Sequence, residues 1–256
     1  MNYSKTVNLY VKNSAVNISS FLTKKINYQL DVDKFICNKF GLAEFFADKY
    51  ELLNFKNINN VLDVGAGAGP ISLFLSHQYN IKTTAIEINP IAYNCCLSNI
   101  NKYKVKNKVN VINADFSTYR KHNKNRGFDL IVSNPPLRNK NSDPSLIYQL
   151  SIDEIKNNID SSIYSFLTNS WCDQNQLDLL DHIFLYYLEN YHKQTYIVLV
   201  CCDIEFDSIQ LVTEKTKKYG LNIIKILSGD IKSSSIGTEG LIDGKILSHI
   251  IVIRKL

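Results

Sequence analysis

The pattern of apolar and polar positions changes its period along the chain, and each change marks a predicted element. From Phe40 to Leu53 apolar residues recur at helical spacing, which predicts a helix with one buried face. From residue 60 onward, short apolar runs that predict strands alternate with amphipathic stretches that predict helices. This alternation is typical of a parallel, doubly wound α/β sheet.

The sheet is predicted to have seven strands. They are Asn60–Val64, Lys82–Ile88, Lys108–Ala114, Phe128–Ser133, Thr195–Cys202, Leu221–Leu227 and Lys245–Ile253. Helices are predicted at Pro70–Tyr79, from Asn89 to about Tyr103, at Gln176–Tyr191 and at Ser208–Tyr219. The last two strands have only a Gly/Ser-rich loop (Ser228–Gly244) between them, so we expect the last strand to be antiparallel.

The domain organisation follows from the start of this alternation. Residues 1–34 are mixed and polar and are predicted to be a short N-terminal extension, with a strand at Val7–Val11 and a weak helix near Ile18–Ile26. Residues 35–256 are predicted to be one α/β domain. A polar insertion at Arg138–Asp173 interrupts it and contains a helical stretch at Ser145–Ile159.

Composition narrows the class of protein. The chain has 256 residues, of which 45% are hydrophobic and 21% charged, as in an ordinary globular protein. No apolar run reaches membrane-spanning length, and the N-terminus lacks the pattern of a signal peptide. Cys95-Cys96 and Cys201-Cys202 lie in apolar segments and indicate reduced core thiols, so we expect a cytoplasmic protein. The five histidines have no metal-binding spacing, and no metal is expected.

The net charge of +5 is a mild excess. It permits an anionic partner without requiring one, because the lysines are scattered along the sequence.

A glycine-rich turn is the most informative motif. The segment 61–69 reads Val-Leu-Asp-Val-Gly-Ala-Gly-Ala-Gly, so Gly65, Gly67 and Gly69 follow a strand that contains Asp63, and Pro70 begins the next helix. A turn with so little side chain lets a ligand approach the backbone closely. The turn alone leaves open whether this ligand is a dinucleotide or another molecule, or whether the turn is merely structural.

Two acids end the next strands. Glu87 lies at the carboxyl end of the second strand, where doubly wound folds place an acid on ribose hydroxyls, and Asp115 closes the third strand. Either acid alone could be a helix cap or a surface charge. Their order along one edge of the sheet favours a ligand site.

The fourth strand ends in Asn134-Pro-Pro-Leu137. Two prolines could simply terminate a strand. They also fix the backbone so that the Asn134 amide oxygen and a nearby main-chain carbonyl face the ligand crevice. Two such acceptors can hold both hydrogens of a planar NH2 group and turn its lone pair toward an electrophile.

Together, the motifs Asp63-Val-Gly-Ala-Gly-Ala-Gly69, Glu87, Asp115 and Asn134-Pro-Pro136 resemble class I S-adenosylmethionine-dependent methyltransferases that methylate nitrogen. The "methyltransferase small" group is the most similar, and it includes release-factor glutamine methyltransferases and RNA guanine and adenine N-methyltransferases. The resemblance covers roughly residues 35 to 254. It implies a seven-stranded Rossmann-like fold and S-adenosyl-L-methionine as the cofactor.

The resemblance also implies which residues bind the cofactor. Asp63 and the turn would hold the methionine part, Glu87 the ribose hydroxyls, and Ile88 and Asp115 with Phe116 the adenine. The implied cofactor-binding residues are Asp63, Gly65, Ala66, Gly67, Gly69, Glu87, Ile88, Asp115, Phe116 and Asn134.

Asn134, Pro135 and Leu137 are implied to line the acceptor site. The family carries an aromatic residue where this chain has Leu137, and loss of that ring weakens the case for a stacked nucleobase. The segment before the domain is short, so acceptor recognition is expected to fall to the N-terminal segment and the Arg138–Asp173 insertion.

The sequence therefore predicts methyl transfer to an amide-like or planar nitrogen of a protein glutamine or a small metabolite, with protein or small-molecule partners favoured over nucleic acid. One alternative is an RNA or DNA base N-methyltransferase, and another is a non-catalytic cofactor-binding subunit. An NAD(P) dehydrogenase fits poorly, because it explains neither the glycine spacing nor the Asn-Pro-Pro motif.

Overall fold

Seven strands form one mixed sheet at the centre of the molecule in the computed structural model of the chain, which describes residues 16–33, 40–124, 126–135, 178–190, 192, 194–203, 207–232 and 244–256. A separate antiparallel hairpin precedes it. The hairpin consists of β1 Val16–Leu22 and β2 Asn27–Asp33. The sheet consists of β3 Asn60–Val64, β4 Lys82–Glu87, β5 Val109–Asn113, β6 Leu130–Ser133, β7 Tyr196–Cys202, β8 Asn222–Lys232 and β9 Lys245–Arg254.

Six described helices accompany the strands. They are α1 Gly41–Lys49, which continues as a 3-10 turn over Tyr50–Leu53, α2 Pro70–Tyr79, α3 Pro90–Lys102, α4 Phe116–His122, α5 Asp178–Glu189 and α6 Ser208–Lys218. The four helices predicted from residue 70 onward are confirmed to within a few residues at each end. Helix α4 was not predicted, although Asp115 marks its start by capping it.

The strand order is β5-β4-β3-β6-β7-β9-β8. Strands β3 to β7 are parallel to one another, whereas β9 is antiparallel to both β7 and β8. The predicted fold class and the antiparallel last strand are therefore confirmed. Strand β8 is longer than predicted, because residues 228–232 pair with β9 instead of belonging to the loop.

Helices cover both faces of the sheet, and alternate strand residues serve the two sides. Helices α1, α2 and α3 and the hairpin share one apolar core with Val61 and Val132. Helices α4, α5 and α6 share the other core with Leu62 and Val64. Asp63 lies between Leu62 and Val64 in the strand and so faces α2.

The helix predicted near Ile18–Ile26 is wrong. These residues form most of β1 and the turn into β2, where Thr23 and Ile26 close the turn through backbone and side-chain hydrogen bonds. Alternate residues of β2 are buried, including Tyr28 and Leu30, so the period is two and not 3.6. Packing of this apolar face against the helices outweighs the weak helical pattern. The predicted strand Val7–Val11 lies outside the described residues.

A buried asparagine joins the hairpin to the rest of the molecule. Asn99 on α3 is fully buried, and its Oδ1 accepts the Asp31 backbone N–H at 2.7 Å. Its Nδ2 donates to the carbonyl of Asp31 at 3.0 Å and to that of Ala68 at 3.0 Å. The Asp31 carboxylate also pairs with Lys102 at 2.6 Å. One side chain thus connects β2, α3 and the turn that follows β3.

Within the described residues, no helix is both long and apolar enough to cross a membrane. Cys95, Cys96 and Cys201 are free and buried, as predicted for core thiols. Burial raises the pKa of Cys95 to about 11 and that of Cys201 to about 12, which keeps both thiols protonated.

We expect Asn99→Ala to lower the free energy of unfolding by about 2–3 kcal/mol, because it leaves buried backbone groups of Asp31 and Ala68 without partners. Urea denaturation measures this change. Asn101→Ala is the matched control, because Asn101 is exposed on the same helix. Equal, small effects of the two substitutions would contradict the anchoring role of Asn99.

Candidate cofactor and acceptor site

The carboxyl ends of four neighbouring parallel strands meet at one edge of the sheet. Val64 of β3 pairs with Ile86 of β4 and with Ser133 of β6, and Glu87 pairs with Asn113 of β5. The predicted site residues that the structure describes lie near the ends of these strands or in the segments that follow them. The fold therefore brings the glycine turn, both acids and the Asn-Pro motif to the same edge, as the sequence predicted.

The glycine turn has the conformation that only glycine adopts freely. Gly65, Gly67 and Gly69 have φ angles of +74°, +58° and +84°. The backbone N–H groups of Gly65 and Ala66 donate to the carbonyl of Ile86 at 2.9 and 3.0 Å, which ties the turn to β4. These hydrogen bonds hold the backbone of the turn in one conformation.

The three glycines differ in what surrounds them. A Cβ built on Gly65 or Gly67 meets no atom within 4 Å, so both positions border open space. A Cβ on Gly69 would lie 2.6 Å from the Sγ of Cys96 on α3, which is fully buried. Gly69 therefore permits close packing of α3, whereas Gly65 and Gly67 leave room for a ligand to approach the backbone.

Glu87 holds this arrangement together. Its carboxylate is buried and accepts the backbone N–H of Gly67 at 2.7 Å and that of Asn89 at 2.8 Å, with one oxygen on each. Burial raises the pKa of Glu87, although these hydrogen bonds lower it in part. A backbone hydrogen bond from Ile88 lowers this pKa as well, and the acceptor capacity that the carboxylate keeps beyond these contacts fits its predicted role on ribose hydroxyls.

Asn113 is a site residue that sequence reasoning missed. It ends β5, and its Nδ2 donates to the carbonyls of Glu87 at 2.8 Å and Ile88 at 3.1 Å. This contact fixes the backbone on either side of Ile88, whose side chain is 41% exposed at the edge. The available signal was a polar residue at the end of a predicted strand, one strand away from Glu87.

Asp63 is enclosed beneath the turn. It is 1% exposed and accepts a hydrogen bond from the Ser72 hydroxyl at 2.6 Å. Burial raises the pKa of Asp63 to about 7, and the negative charge of Glu87 adds to this effect, while hydrogen bonds from Ser72 oppose it. The partner Ser72 was not predicted, because it lies on the buried face of α2.

Asp115 and Phe116 take different positions. Asp115 is exposed and caps α4 by accepting the Thr118 backbone N–H at 3.0 Å. Hydrogen bonds from Ser117 and Thr118 outweigh partial burial and lower the pKa of this carboxyl. The Phe116 ring is buried in the core beside Tyr119. Only the main chain of Phe116 could therefore contact an adenine. The role of Phe116 in cofactor binding stays a prediction.

Asn134 is an exposed residue between two buried ones, Ser133 and Pro135. The Ser133 hydroxyl donates to the carbonyl of Val64 at 2.8 Å and fixes the end of β6 to the strand that carries the glycine turn. The Asn134 amide is thus available to a substrate on a rigid base. Leu137 lies outside the described residues, so its predicted place in the acceptor site stays a prediction, as does the Arg138–Asp173 insertion.

Residues 47–162 match the family model of the methyltransferase small domain, a little under half of the chain. A tRNA1(Val) (adenine(37)-N6)-methyltransferase of Haemophilus influenzae is 36% identical over 83 residues, which is 32% of this chain and 35% of that protein. The enzyme of the same description from Bacteroides fragilis is 33% identical over 76 residues, or 30% of this chain and 32% of that protein. The match thus spans about a third of the length of these curated relatives.

Solved structures share the fold. The crystal structure of M. jannaschii TYW2 in complex with AdoMet aligns with a TM-score of 0.53 and 16% identity over 93% of this chain and 87% of that chain. The sheet of this chain therefore has the Rossmann-like fold of that structure. The match of residues 47–162 to the methyltransferase small domain agrees with the resemblance recognised from the sequence.

We expect Gly67→Ala and Gly69→Ala to fail in different ways. Gly67→Ala places a methyl group in open space, so it should cost about 1–2 kcal/mol of stability through its left-handed backbone. It should also weaken S-adenosylhomocysteine binding roughly tenfold or more, because the methyl group occupies the approach to the turn.

Gly69→Ala adds a clash with buried Cys96 and should destabilise the fold more. Thermal unfolding and isothermal titration separate the two effects. If Gly67→Ala bound S-adenosylhomocysteine as tightly as wild type, the cofactor would not approach the backbone at Gly67.

Stability should depend on pH through Asp63. Because its pKa is raised to about 7, the folded protein binds more protons than the unfolded chain between about pH 4 and 7. This contribution is present at low pH and is lost as pH rises through 7. We expect Asp63→Asn to reduce that loss, by up to about 1.4 kcal/mol per pH unit. Urea denaturation of the ligand-free protein between pH 4 and 8 measures the slope.

Asp115→Asn is the control for this experiment, because the pKa of Asp115 is lowered and its contribution has the opposite sign. The stabilising effect of Asp115 is present above its unfolded pKa and is lost as pH falls. Asp115→Asn should therefore change the free energy of unfolding only at the acidic end of the pH profile. Identical pH profiles of wild type and Asp63→Asn would show that Asp63 does not titrate in this window.

Proposed function

We propose that this protein is an S-adenosylmethionine-dependent RNA methyltransferase that methylates the exocyclic N6 of an adenine, with a transfer RNA as the acceptor. The observation that carries the proposal is the exposed Asn134 amide, held between buried Ser133 and Pro135 at the same edge as the glycine turn. The names of the curated relatives support the adenine. This is the alternative from the sequence, and it replaces the preference for a protein or small-molecule acceptor.

The chemistry of N6 explains the need for Asn134. The lone pair of an exocyclic amino group is delocalised into the ring, so this nitrogen is a poor nucleophile in its planar form. The Asn134 Oδ1 and the Pro135 carbonyl can accept its two hydrogens, which favours a pyramidal nitrogen with its lone pair directed away from them. The same acceptors stabilise the positive charge that develops on nitrogen during attack.

The cofactor fits the open side of the turn. Gly65 and Gly67 border space that a Cβ would enter, and the Glu87 carboxylate keeps free acceptor sites beside it. Bound there, S-adenosylmethionine supplies a methyl group on a sulfonium, which is a strong electrophile. Glu87 would hold the ribose hydroxyls and Asp63 would favour the cationic methionine end from below. Ile88 would offer an apolar contact to the adenine.

Methyl transfer to N6 would form the new N–C bond from the nitrogen lone pair and break the S–CH3 bond, whose electrons would stay on sulfur. The extra proton on N6 then leaves to solvent. The described residues thus need to position and desolvate the reactants and not to act as a strong base, a contribution worth several kcal/mol, about 7–11 in favourable cases.

Leu137 stands at the fourth motif position, where the family resemblance implies an aromatic residue. A leucine offers an apolar face but no ring for stacking on the flat base. A protein glutamine also presents a planar NH2 group that Asn134 could bind, so the identity of the acceptor needs a direct test.

We expect Asn134→Ala to abolish methyl transfer to RNA while leaving the affinity for S-adenosylhomocysteine nearly unchanged, because the amide serves the acceptor. Protein, methyl-labelled cofactor and total tRNA are incubated together, and digested nucleosides are assayed for N6-methyladenosine. Asn110→Ala, at an exposed position of β5 away from the edge, is the matched control and should retain activity.

The distribution of label decides between the candidate functions. Label in the RNA fraction as N6-methyladenosine supports the proposal, whereas label confined to protein or small molecules overturns it. Cofactor binding without transfer to any fraction of a cell extract would indicate a non-catalytic subunit. Turnover of Asn134→Ala at the wild-type rate would refute the acceptor role of this residue.

A further inference from the structure

A cationic loop lies at the far end of the sheet from the candidate site. Helix α3 ends at Lys102 and β5 begins at Val109, and the connecting residues read Lys-Tyr-Lys-Val-Lys-Asn-Lys over 102–108. We call residues 102–108 the lysine loop. Four lysines, Lys102, Lys104, Lys106 and Lys108, occupy alternate positions of this loop.

The loop is held in one conformation. Its Val105 is buried, and the Val105 N–H donates to the carbonyl of Ile100 at 3.1 Å. The Val105 carbonyl in turn accepts the N–H groups of Lys108 at 2.8 Å and Val109 at 3.0 Å. The lysine side chains therefore extend from a fixed backbone, which lowers the entropy that a partner must remove on binding.

Lys104 occupies a backbone position that does not suit lysine. Its φ is +57°, in the left-handed region. Among the described residues, every other non-glycine residue with positive φ is an asparagine: Asn54, Asn57 and Asn80. A lysine in this region costs about 1–2 kcal/mol relative to glycine. This local cost is consistent with a side chain that has a task outside the fold.

The cations of the loop are uncompensated within the described part of the chain. Lys104 and Lys106 are exposed, Lys108 is half-buried, and none of the three has a carboxylate oxygen within 4.0 Å, whereas Lys102 pairs with Asp31. Exposed Lys82 at the start of β4 joins them, because the N–H of Thr83 donates to the carbonyl of Lys108 at 2.8 Å. The partial negative charge at the carboxyl end of α3 accounts for one nearby cation. It does not account for the four lysines that gather here.

The distance to the crevice limits what this patch can bind. The loop lies at the amino end of β5, and the candidate site lies at the carboxyl end of the same strand. The five residues of β5 span roughly 17 Å at about 3.3 Å each. Strand β5 is the terminal strand of the sheet. The path from the lysine loop to the crevice therefore runs along the unpaired side of β5. A ligand that reaches both must be extended and must carry negative charge where it meets the lysine loop.

We propose that the lysine loop, with Lys82, binds backbone phosphates of a structured RNA whose target base occupies the crevice. This proposal rests on the proposed function and adds to it a second contact, remote from the reaction, which favours a folded RNA over a short one. Lysines on phosphates supply affinity and register without reading sequence.

The test uses the triple variant Lys104→Asn, Lys106→Gln and Lys108→Gln. Asparagine suits the left-handed position of residue 104, so the variant is expected to fold at least as well as wild type. The matched control is Lys56→Gln, Lys121→Gln and Lys217→Gln, which removes three exposed lysines elsewhere that have no carboxylate within 4.0 Å among the described residues. Binding of full-length tRNA is measured by filter binding at several salt concentrations, and methylation of tRNA and of an adenine-containing trinucleotide is measured in parallel.

We expect the triple variant to bind tRNA roughly tenfold or more weakly, with a slope of log affinity against log salt that is shallower by about 2–3. KM for tRNA should rise, while kcat, S-adenosylhomocysteine affinity and trinucleotide methylation stay at wild-type values. The control should behave as wild type.

Two results would overturn the proposal. One is an unchanged tRNA affinity and salt slope in the triple variant, and the other is an equal loss in the control, which would mean diffuse attraction. Because binding is measured without turnover, these results are distinct from a failure of the proposed function, in which wild-type protein transfers no methyl group to RNA.

Discussion

The buried carboxylate of Glu87 is the contact on which the site depends. It joins the N–H of Gly67 in the turn after β3 to the N–H of Asn89 at the start of α3. Without these bonds a buried acid would be strongly unfavourable, and without the acid two amides at the edge would lack an acceptor. The turn, the second strand and the next helix are therefore fixed relative to one another before any ligand arrives, which is the preorganisation that positional catalysis requires.

The distribution of charge gives the molecule two functionally different ends. The carboxyl edge of the sheet carries Glu87 and Asp115 beside the glycine turn, an arrangement suited to hydroxyls and to a cationic cofactor. The amino end of β5 carries the unpaired lysines. A net charge of +5 conceals this separation, because acids and lysines at opposite ends cancel in the sum. A polyanion that is repelled near the crevice can still be attracted 17 Å or so away.

Local signals explain what could be predicted from the sequence. Strand Asn60–Val64 and helix Pro70–Tyr79 were predicted with their observed bounds, because the apolar run, the glycines and the N-terminal proline act within a few residues. The hairpin was missed because its burial depends on α1 and α3, which the pattern of residues 18–26 does not reveal. Ser72, Asn99 and Asn113 were missed for the same reason, since their partners lie far away in sequence or on another strand. The preferred acceptor class is the least supported prediction, since the curated relatives that match this chain are named as tRNA methyltransferases.

The hydrogen bonds of Asn99 have a further consequence. The Ala68 carbonyl in the glycine turn and both backbone groups of Asp31 in the hairpin share this one side chain. The turn and the hairpin therefore form one cooperative unit, in which local opening of either part releases the other. Any ligand that stabilises the turn must, by thermodynamic linkage, also slow amide hydrogen exchange in β2. A strand that does not touch the crevice would thus report its occupancy.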